Sequence, residues 1–210
     1  MVHSHQGEPD YRFDLSGGSL CLDFCNTISR RKVPARSTDH LGSYDDLVSF
    51  AEQSKILLPK QADELRAHAR RRGSEAREIL RRAISYREDL YRAFSALAEG
   101  KPAASDELQQ INDFAVVALG HRRLARVDGH YCWAWQWNNK DPLDSILWPI
   151  AQSAADLLTS PELATVRICE APDCAWLFLD QSRNRSRRWC DMKVCGNRQK
   201  ARRHYQRTHR

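Results

Sequence analysis

Four cysteines near the C-terminus restrict how that end of this 210-residue sequence can fold. They are Cys169, Cys174, Cys190 and Cys195, in the pattern C-x4-C, fifteen residues, C-x4-C. Thiolates are strong zinc ligands, and four of them complete a tetrahedral shell. The segment around them is too short and too polar to build an apolar core by itself, so a metal would supply the free energy that folds it. The pattern therefore predicts one structural zinc ion.

Two disulfide bonds are the alternative interpretation of these cysteines. No apolar stretch follows Met1 as in a signal peptide, and no run approaches the ~18 apolar residues of a membrane span. We therefore expect a cytoplasmic protein without a membrane segment, whose thiols stay reduced. The remaining cysteines, Cys21, Cys25 and Cys132, have apolar neighbours and are expected in the core.

Charge is unevenly distributed along the chain. Of the 33 Lys and Arg residues, eleven lie from Arg183 onward, where Asp191 is the single one of the 27 acidic residues. The preceding part therefore carries a net charge of −4, against +6 for the whole sequence. A mildly acidic body with a basic end is typical of a protein that binds a polyanion. One or two arginines would also neutralise the formal charge of about −2 on a zinc ion with four thiolates.

Apolar periodicity predicts a mainly helical body. Leu20, Phe24 and Ile28 fall on one face of a helix over 19–28. Five further helices are expected: over 44–55, from Pro59, over 74–99, from Ser105, and over 142–158 with a kink at Pro149.

Residues 122–138 have a different pattern, with aromatic residues alternating along the second half. Asp128 and Gly129 between the two halves predict a β-hairpin with a type I′ turn. The fold class expected from these elements is mainly α (α+β): a helical N-terminal domain with a small β-hairpin, followed by a C-terminal treble-clef-like zinc finger. A Ser-Pro pair at 160–161 predicts the boundary between a domain over 1–160 and one over 161–210.

Within the finger, residues 175–180 predict a strand and 187–189 its return strand, and a helix begins at the second cysteine pair. Asn197 is expected to face inward and bind the backbone. The apolar side of the helix is expected to pack on the hairpin, with Val194, Ala201 and Tyr205 against Trp176, Phe178 and Trp189.

Several segments resemble a known family. CAWLFLD, SRNRSRRWC and CGNRQKARRHY resemble the CGNR zinc finger, and GGSLCLDFCNT resembles the start of the ABATE domain that usually precedes it. The resemblance implies a bacterial protein of a group regarded as stress-induced transcription regulators. It also implies that the four cysteines are the zinc ligands and that Gly196, Asn197 and Arg198 complete the naming motif.

The basic end is expected to bind DNA by neutralising phosphates, with affinity that falls as salt increases. Base reading is expected from Arg198, Arg202 or Arg203, since a guanidinium can form two hydrogen bonds with guanine. The predicted contacts are Arg183, Arg185, Arg187, Arg188, Arg198, Lys200, Arg202, Arg203 and Arg207. Three alternatives remain: binding to RNA or the ribosome, a protein-interaction module, and a solvated helix without a specific target.

Arg87 lies on the apolar stripe of the helix over 74–99, where a charge needs a partner. One hypothesis is a pocket for a small effector, lined by Asn26, Arg87, Trp133, Trp135 and Trp137. The alternative is an internal ion pair between Asp23 and Arg87.

No nucleophile elbow, phosphate loop, HExxH or paired-carboxylate motif is found in the sequence, so no enzymatic activity is expected. A homodimer is also expected, because one small finger reads few base pairs and regulators gain specificity by pairing half-sites.

Overall fold

The computed structural model describes residues 3–4, 11–136 and 143–208, without the side chains of residues 3, 4, 203, 204 and 207. Its helices are α1 (Leu20–Cys25), α2 (Tyr44–Gln53), α3 (Pro59–Arg71), α4 (Gly73–Ala98), α5 (Ser105–Gly120), α6 (Leu147–Thr159) and α7 (Asn197–Thr208). Short 3-10 turns cover Pro34–Arg36, Leu143–Ile146 and Pro161–Thr165, and Met192–Gly196 forms one π-helical turn.

The strands form three small sheets. They are β1 (His3–Ser4), β2 (Ile28–Ser29), β3 (Thr38–Asp39), β4 (Arg122–Val127), β5 (His130–Trp135), β6 (Val166–Ile168) and β7 (Leu177–Leu179). In the first sheet β3 lies between β1, which is parallel to it, and β2, which is antiparallel. The pairs β4–β5 and β6–β7 are separate antiparallel ribbons.

Local signals fix the ends of the predicted helices. Ser43 caps α2, because its hydroxyl accepts from the Asp46 N–H at 3.2 Å while the Asp46 carboxylate accepts from the Ser43 N–H at 2.8 Å. Pro59 is the first residue of α3, where its missing N–H costs nothing. Gly100 follows α4 with φ +75°, a conformation that stops a helix at little cost for glycine.

Two features of the helices differ from the sequence-based expectation. Helix α1 ends at Cys25 rather than Ile28, because Ile28 pairs with Asp39 in the first sheet. Pro149 lies in the first turn of α6, where no intrahelical hydrogen bond is lost, so the expected kink is wrong. Cys21 and Cys25 are buried as predicted, whereas Cys132 is exposed on β5.

Helix α4 is the centre of the body. Its buried side chains include Ala83, Tyr86, Leu90 and Phe94, and α1, α2, α3 and α5 pack around it. The β4–β5 ribbon leaves this core at the end of α5, with φ +48° at Asp128 and +84° at Gly129 as a type I′ turn requires. Within the described ranges, no helix has both the length and the apolar character needed to cross a bilayer.

The C-terminal part has a small core of its own and also shares the main one. Val166, Leu177 and Leu179 of the β6–β7 ribbon belong to the main core of the body. Phe178 faces the other way, into a cluster with the four C-terminal cysteines and the half-buried Trp176 and Trp189. The strand partner of β7 is therefore β6, and the return strand expected over 187–189 is wrong.

Candidate metal centre and nucleic-acid interface

The four C-terminal cysteines converge on one point. All four are buried, and their Sγ atoms lie within 4.8 Å of one another. The Sγ atoms of Cys174 and Cys190 are 3.7 Å apart, as are those of Cys190 and Cys195. A tetrahedron with Zn–S bonds of about 2.3 Å has S···S edges of about 3.8 Å. The donor set and its spacing therefore fit one structural zinc ion.

Backbone hydrogen bonds place these cysteines. The Cys169 N–H donates to the Trp176 carbonyl at 2.8 Å, which closes the first cysteine pair over the β6–β7 ribbon. Cys195 lies in the π-helical turn, whose start is capped by the Asp191 carboxylate accepting from the Val194 N–H at 2.9 Å. That turn continues directly into α7, so the metal would fix the first turn of the basic helix.

Arg198 compensates the charge of the cysteine cluster. Its guanidinium lies 3.2 Å from the Cys195 Sγ and 3.0 Å from the Asp173 carboxylate. Contact with Cys169 and burial raise the pKa of the Cys195 thiol, but contacts with Cys174, Cys190 and Arg198 lower it by more. Arg198, predicted to read a base, is thus engaged beside the metal site, as the charge of a zinc–thiolate centre requires.

Two further arginines of the predicted DNA-binding set have internal partners. Arg187 donates to the carbonyls of Trp189 and Cys190, and its guanidinium covers the Phe178 ring with the centroid 4.6 Å away. Arg188 forms an ion pair with Glu170. Both contacts stabilise the finger itself.

Asp180 organises the loop after β7, a role that was not predicted from the sequence. Its buried carboxylate accepts from the Ser182 N–H, the Ser182 hydroxyl and the Arg187 N–H at 2.6–3.0 Å. Burial would raise the pKa of this carboxyl, but these hydrogen bonds lower it below its ordinary value. The Asp-x-Ser spacing is a sequence signal for such a turn. The loop presents Arg183 and Arg185 to solvent.

Helix α7 projects from the finger, with its main packing on the π-helical turn before it. Every α7 side chain that the structure describes is exposed or half-exposed, including Lys200 and Arg202. The predicted inward face is therefore wrong: the exposed positions include Asn197, Val194, Ala201 and Tyr205. One physical reason is that the Arg187 guanidinium already covers Phe178, one of the side chains on which the helix was expected to pack. The side chains of Arg203 and Arg207 lie outside the described residues.

Asn26, predicted to line an effector pocket, instead joins the body to the finger. Its amide donates to the Leu177 carbonyl at 2.8 Å and accepts from the Leu177 N–H at 2.9 Å, as a neighbouring strand would. The Leu179 N–H donates to the Gly17 carbonyl at 2.8 Å, so the segment from Gly17 to Asn26 covers the outer edge of β7. Tyr91 adds a hydrogen bond from its hydroxyl to the Ala175 carbonyl at 3.0 Å.

Arg87 has a different partner from the expected one. Its guanidinium makes two hydrogen bonds of 2.7 Å with the Asp39 carboxylate and further ones with Thr27 and Glu88. The predicted ion pair with Asp23 is wrong, because the Asp23 carboxylate accepts from the Gly17 N–H at 2.7 Å instead.

Two of the three tryptophans of the predicted pocket, Trp133 and Trp135, lie on β5. Trp133 is 58 % exposed on β5, and Trp135 lies with its ring 6.4 Å from that of Trp148. Trp137 falls outside the described residues. Trp135 lines a cavity of about 420 Å³ beside α6, but neither this cavity nor one of about 350 Å³ beside the cysteines is lined by Asn26 or Arg87. The contacts therefore assign Asn26 and Arg87 to internal bonding.

Two family models match the chain. Residues 18–161 match the family ABATE, described as "Putative stress-induced transcription regulator". Residues 165–208 match the CGNR zinc finger. Both matches agree, in order and in extent, with the resemblances carried by the glycine-rich N-terminal motif and the cysteine segments. No curated protein matches the sequence.

Proposed function

The chain belongs to the ABATE family, whose description names a stress-induced transcription regulator, and from this premise we propose that it binds duplex DNA through α7 and the loop over 182–186. One zinc ion held by the four cysteines is its structural cofactor. Both matched families are regulators or zinc fingers rather than enzymes.

The observation that carries this proposal is the position of α7. It is a 12-residue helix, about 18 Å long, whose described basic side chains Lys200 and Arg202 are exposed to solvent. The major groove of B-DNA is about 12 Å wide and accepts such a helix. A helix that is polar on all sides gains little from packing, and phosphates would relieve the repulsion among its charges.

The contacts within the finger divide the arginines by role. Arg183 and Arg185 at the loop tip, together with Lys200, are placed to neutralise phosphates. Because Arg198 is engaged beside the metal site, Arg202 is the described residue best placed to read a base. Zinc supplies the rigid link between the loop and the helix.

RNA binding is less well supported. Recognition of single-stranded RNA usually relies on exposed aromatic side chains that stack on bases. Trp176 and Trp189 are half-buried against the cysteine cluster, and the Trp176 indole donates to the Ile28 carbonyl at 2.7 Å.

Titration of a labelled duplex at several salt concentrations tests the phosphate contacts. Each phosphate contact contributes about −0.9 to the slope of log K against log salt. Arg183→Ala with Lys200→Ala should therefore reduce the slope by about 2. The matched control removes two exposed positive charges from α3, Lys60→Ala with Arg71→Ala, and should leave the slope unchanged. Equal effects of the two double variants would mean that only net charge matters and would contradict the proposal.

Sequence specificity needs a second measurement. Genomic fragments bound by the zinc-loaded protein are selected and sequenced, with Cys190→Ser as the control. Enrichment of one motif that is lost in the control supports a sequence-specific regulator. Unenriched binding would limit the interaction to phosphate attraction and would contradict the role given to Arg202.

A further inference from the structure

The β4–β5 ribbon has an exposed aromatic face. In its register Leu124 lies opposite Trp133 and Arg126 opposite Tyr131, which places these four side chains on one face. Tyr131 is 78 % exposed, Leu124 67 % and Trp133 58 %. Apolar residues clustered in this way on a soluble protein mark an interaction site.

The residue types on this face indicate a protein partner. The Arg122 guanidinium lies over the Trp133 ring, 5.1 Å from its centroid, and Arg126 is exposed beside Tyr131. Trp, Tyr and Arg dominate the energetics of protein interfaces, whereas Lys and Glu are depleted there. The ribbon contains neither Lys nor Glu.

Helix α5 carries a second unpartnered surface of opposite charge. Leu108, Val116 and Leu119 are exposed and fall within a sector of about 80° on the helix. Asp106 and Asp113 are exposed along one border of this stripe. An apolar stripe bordered by carboxylates complements an apolar face bordered by arginines.

We infer that the chain forms a two-fold symmetric dimer in which the ribbon face of each copy lies on the α5 stripe of the other. Both complementary surfaces belong to the same chain, and β4 begins directly after α5. One two-fold axis therefore brings both contacts together. A stable interface buries about 800 Å² per partner. Two aromatic side chains, each able to bury about 150–250 Å², together with four aliphatic ones and the arginines, reach that order.

The dimer would place two basic helices in one complex. Their joint use on two DNA half-sites rests on the proposed DNA binding. The dimer itself does not depend on DNA. Dimer formation is therefore measured with zinc-loaded protein in the absence of DNA. A failure of the dimer proposal can then be distinguished from a failure of the DNA-binding proposal.

Sedimentation velocity from low to high micromolar concentration is the experiment. We expect the wild type to sediment as a dimer. The double variant Leu124→Ser with Trp133→Ser should have a dimer dissociation constant at least about tenfold larger than that of the wild type. Because both side chains are exposed, the circular dichroism spectrum should not change. The thermal midpoint should also match that of the wild type at concentrations low enough for both proteins to be monomers. Leu58→Ser, immediately before α3 at a position that is 69 % exposed, is the matched control and should dimerise like the wild type.

A charge exchange tests which surfaces meet. Arg126→Glu and Asp113→Lys should each weaken the dimer, and their combination should recover part of the loss. Additive weakening would place the carboxylates outside the interface and overturn the arrangement.

Other results would overturn the inference as a whole. One is a wild type that is monomeric throughout the concentration range, and another is a ribbon variant that dimerises normally. A monomeric wild type whose ribbon variant loses affinity for the labelled duplex would make the ribbon a nucleic-acid surface instead.

Discussion

At position 87 a guanidinium lies inside the helical body, with only 1 % of its side chain exposed. Breaking a buried ion pair by removing one partner leaves an uncompensated charge, which typically costs about 3–5 kcal/mol. Arg87→Met should therefore lower the free energy of unfolding in urea by about that amount. Arg81→Met removes a solvent-exposed partner of Glu78 and should cost less than about 1 kcal/mol. Similar losses in the two variants would contradict the burial of the Arg87–Asp39 pair.

Asp23 gives the body a pH dependence of unusual sign. Burial raises its pKa to about 7, although the hydrogen bond from the Gly17 N–H lowers it, and Asp14 adds a smaller increase. An unfolded aspartate titrates near about 3.9. Between these two values the folded protein binds more protons than the unfolded chain, so this group makes stability fall as pH rises.

Asp23→Asn should remove that dependence, because the amide oxygen still accepts from Gly17 but carries no charge. The stability gained over the wild type should be near zero at about pH 4 and grow to at most about 4 kcal/mol above pH 7. Urea unfolding across this range measures it, with Glu64→Gln on the exposed side of α3 as the control for loss of a carboxylate. A constant difference between wild type and variant would mean that Asp23 is ionised throughout.

At the scale of elements, the outer edge of β7 is covered by the Asn26 side chain, which makes the two backbone hydrogen bonds that a neighbouring strand would make. Asn26→Asp keeps the acceptor but replaces the donor with a carboxylate that faces the Leu177 carbonyl. A buried carbonyl without its donor costs about 1–3 kcal/mol, so we expect a loss of about 2 kcal/mol at neutral pH. Acidification should recover part of it, because a protonated carboxyl donates again.

Asn184→Asp, an exposed change in the loop over 182–186, is the matched control. Urea unfolding at neutral and acid pH compares the two variants. Equal stability of both at neutral pH would show that the edge of β7 tolerates the lost donor.

The helices were predictable because their signals are local, whereas the pairing of β7 was not. Pro59 and Gly100 mark helix ends through their own backbone chemistry. The three residues of β6 carry no comparable signal, and their pairing with β7 depends on both strands joining the main core.

Individual partners were harder to predict than elements. The sequence indicates that Arg87 needs a carboxylate, but Asp23 and Asp39 both qualify, and only the position of β3 decides between them. The cysteine ligands were predictable because chemistry and spacing agree. The inward face of α7 was wrong because a guanidinium, and not an apolar side chain, covers Phe178.

For the whole molecule, the shared core predicts that metal binding stabilises the body. Cys190→Ser should abolish zinc binding and disorder the small cluster while the helical circular dichroism remains. Since Val166, Leu177 and Leu179 pack in the main core, the thermal midpoint of the helices should also fall, by about 4–8 °C if about 2 kcal/mol is lost. Zinc content and thermal unfolding measure both effects.

Cys132→Ser, which changes an exposed cysteine on β5, is the control and should change neither quantity. A Cys190→Ser protein whose helices melt at the wild-type temperature would show that the finger folds independently of the body.

Beside the shared apolar core, several hydrogen bonds from the body are made to the main chain of the finger. Asn26 binds the N–H and C=O of Leu177, Gly17 binds the N–H of Leu179, and Tyr91 binds the carbonyl of Ala175. Lys32 likewise donates to the carbonyls of Cys169 and Ala171. Peptide groups are the same in every sequence, so substitutions on the outer surface of the finger leave these bonds intact. Evolution could therefore exchange the binding specificity of the finger, by point changes or by recombination of whole fingers, without redesigning the body.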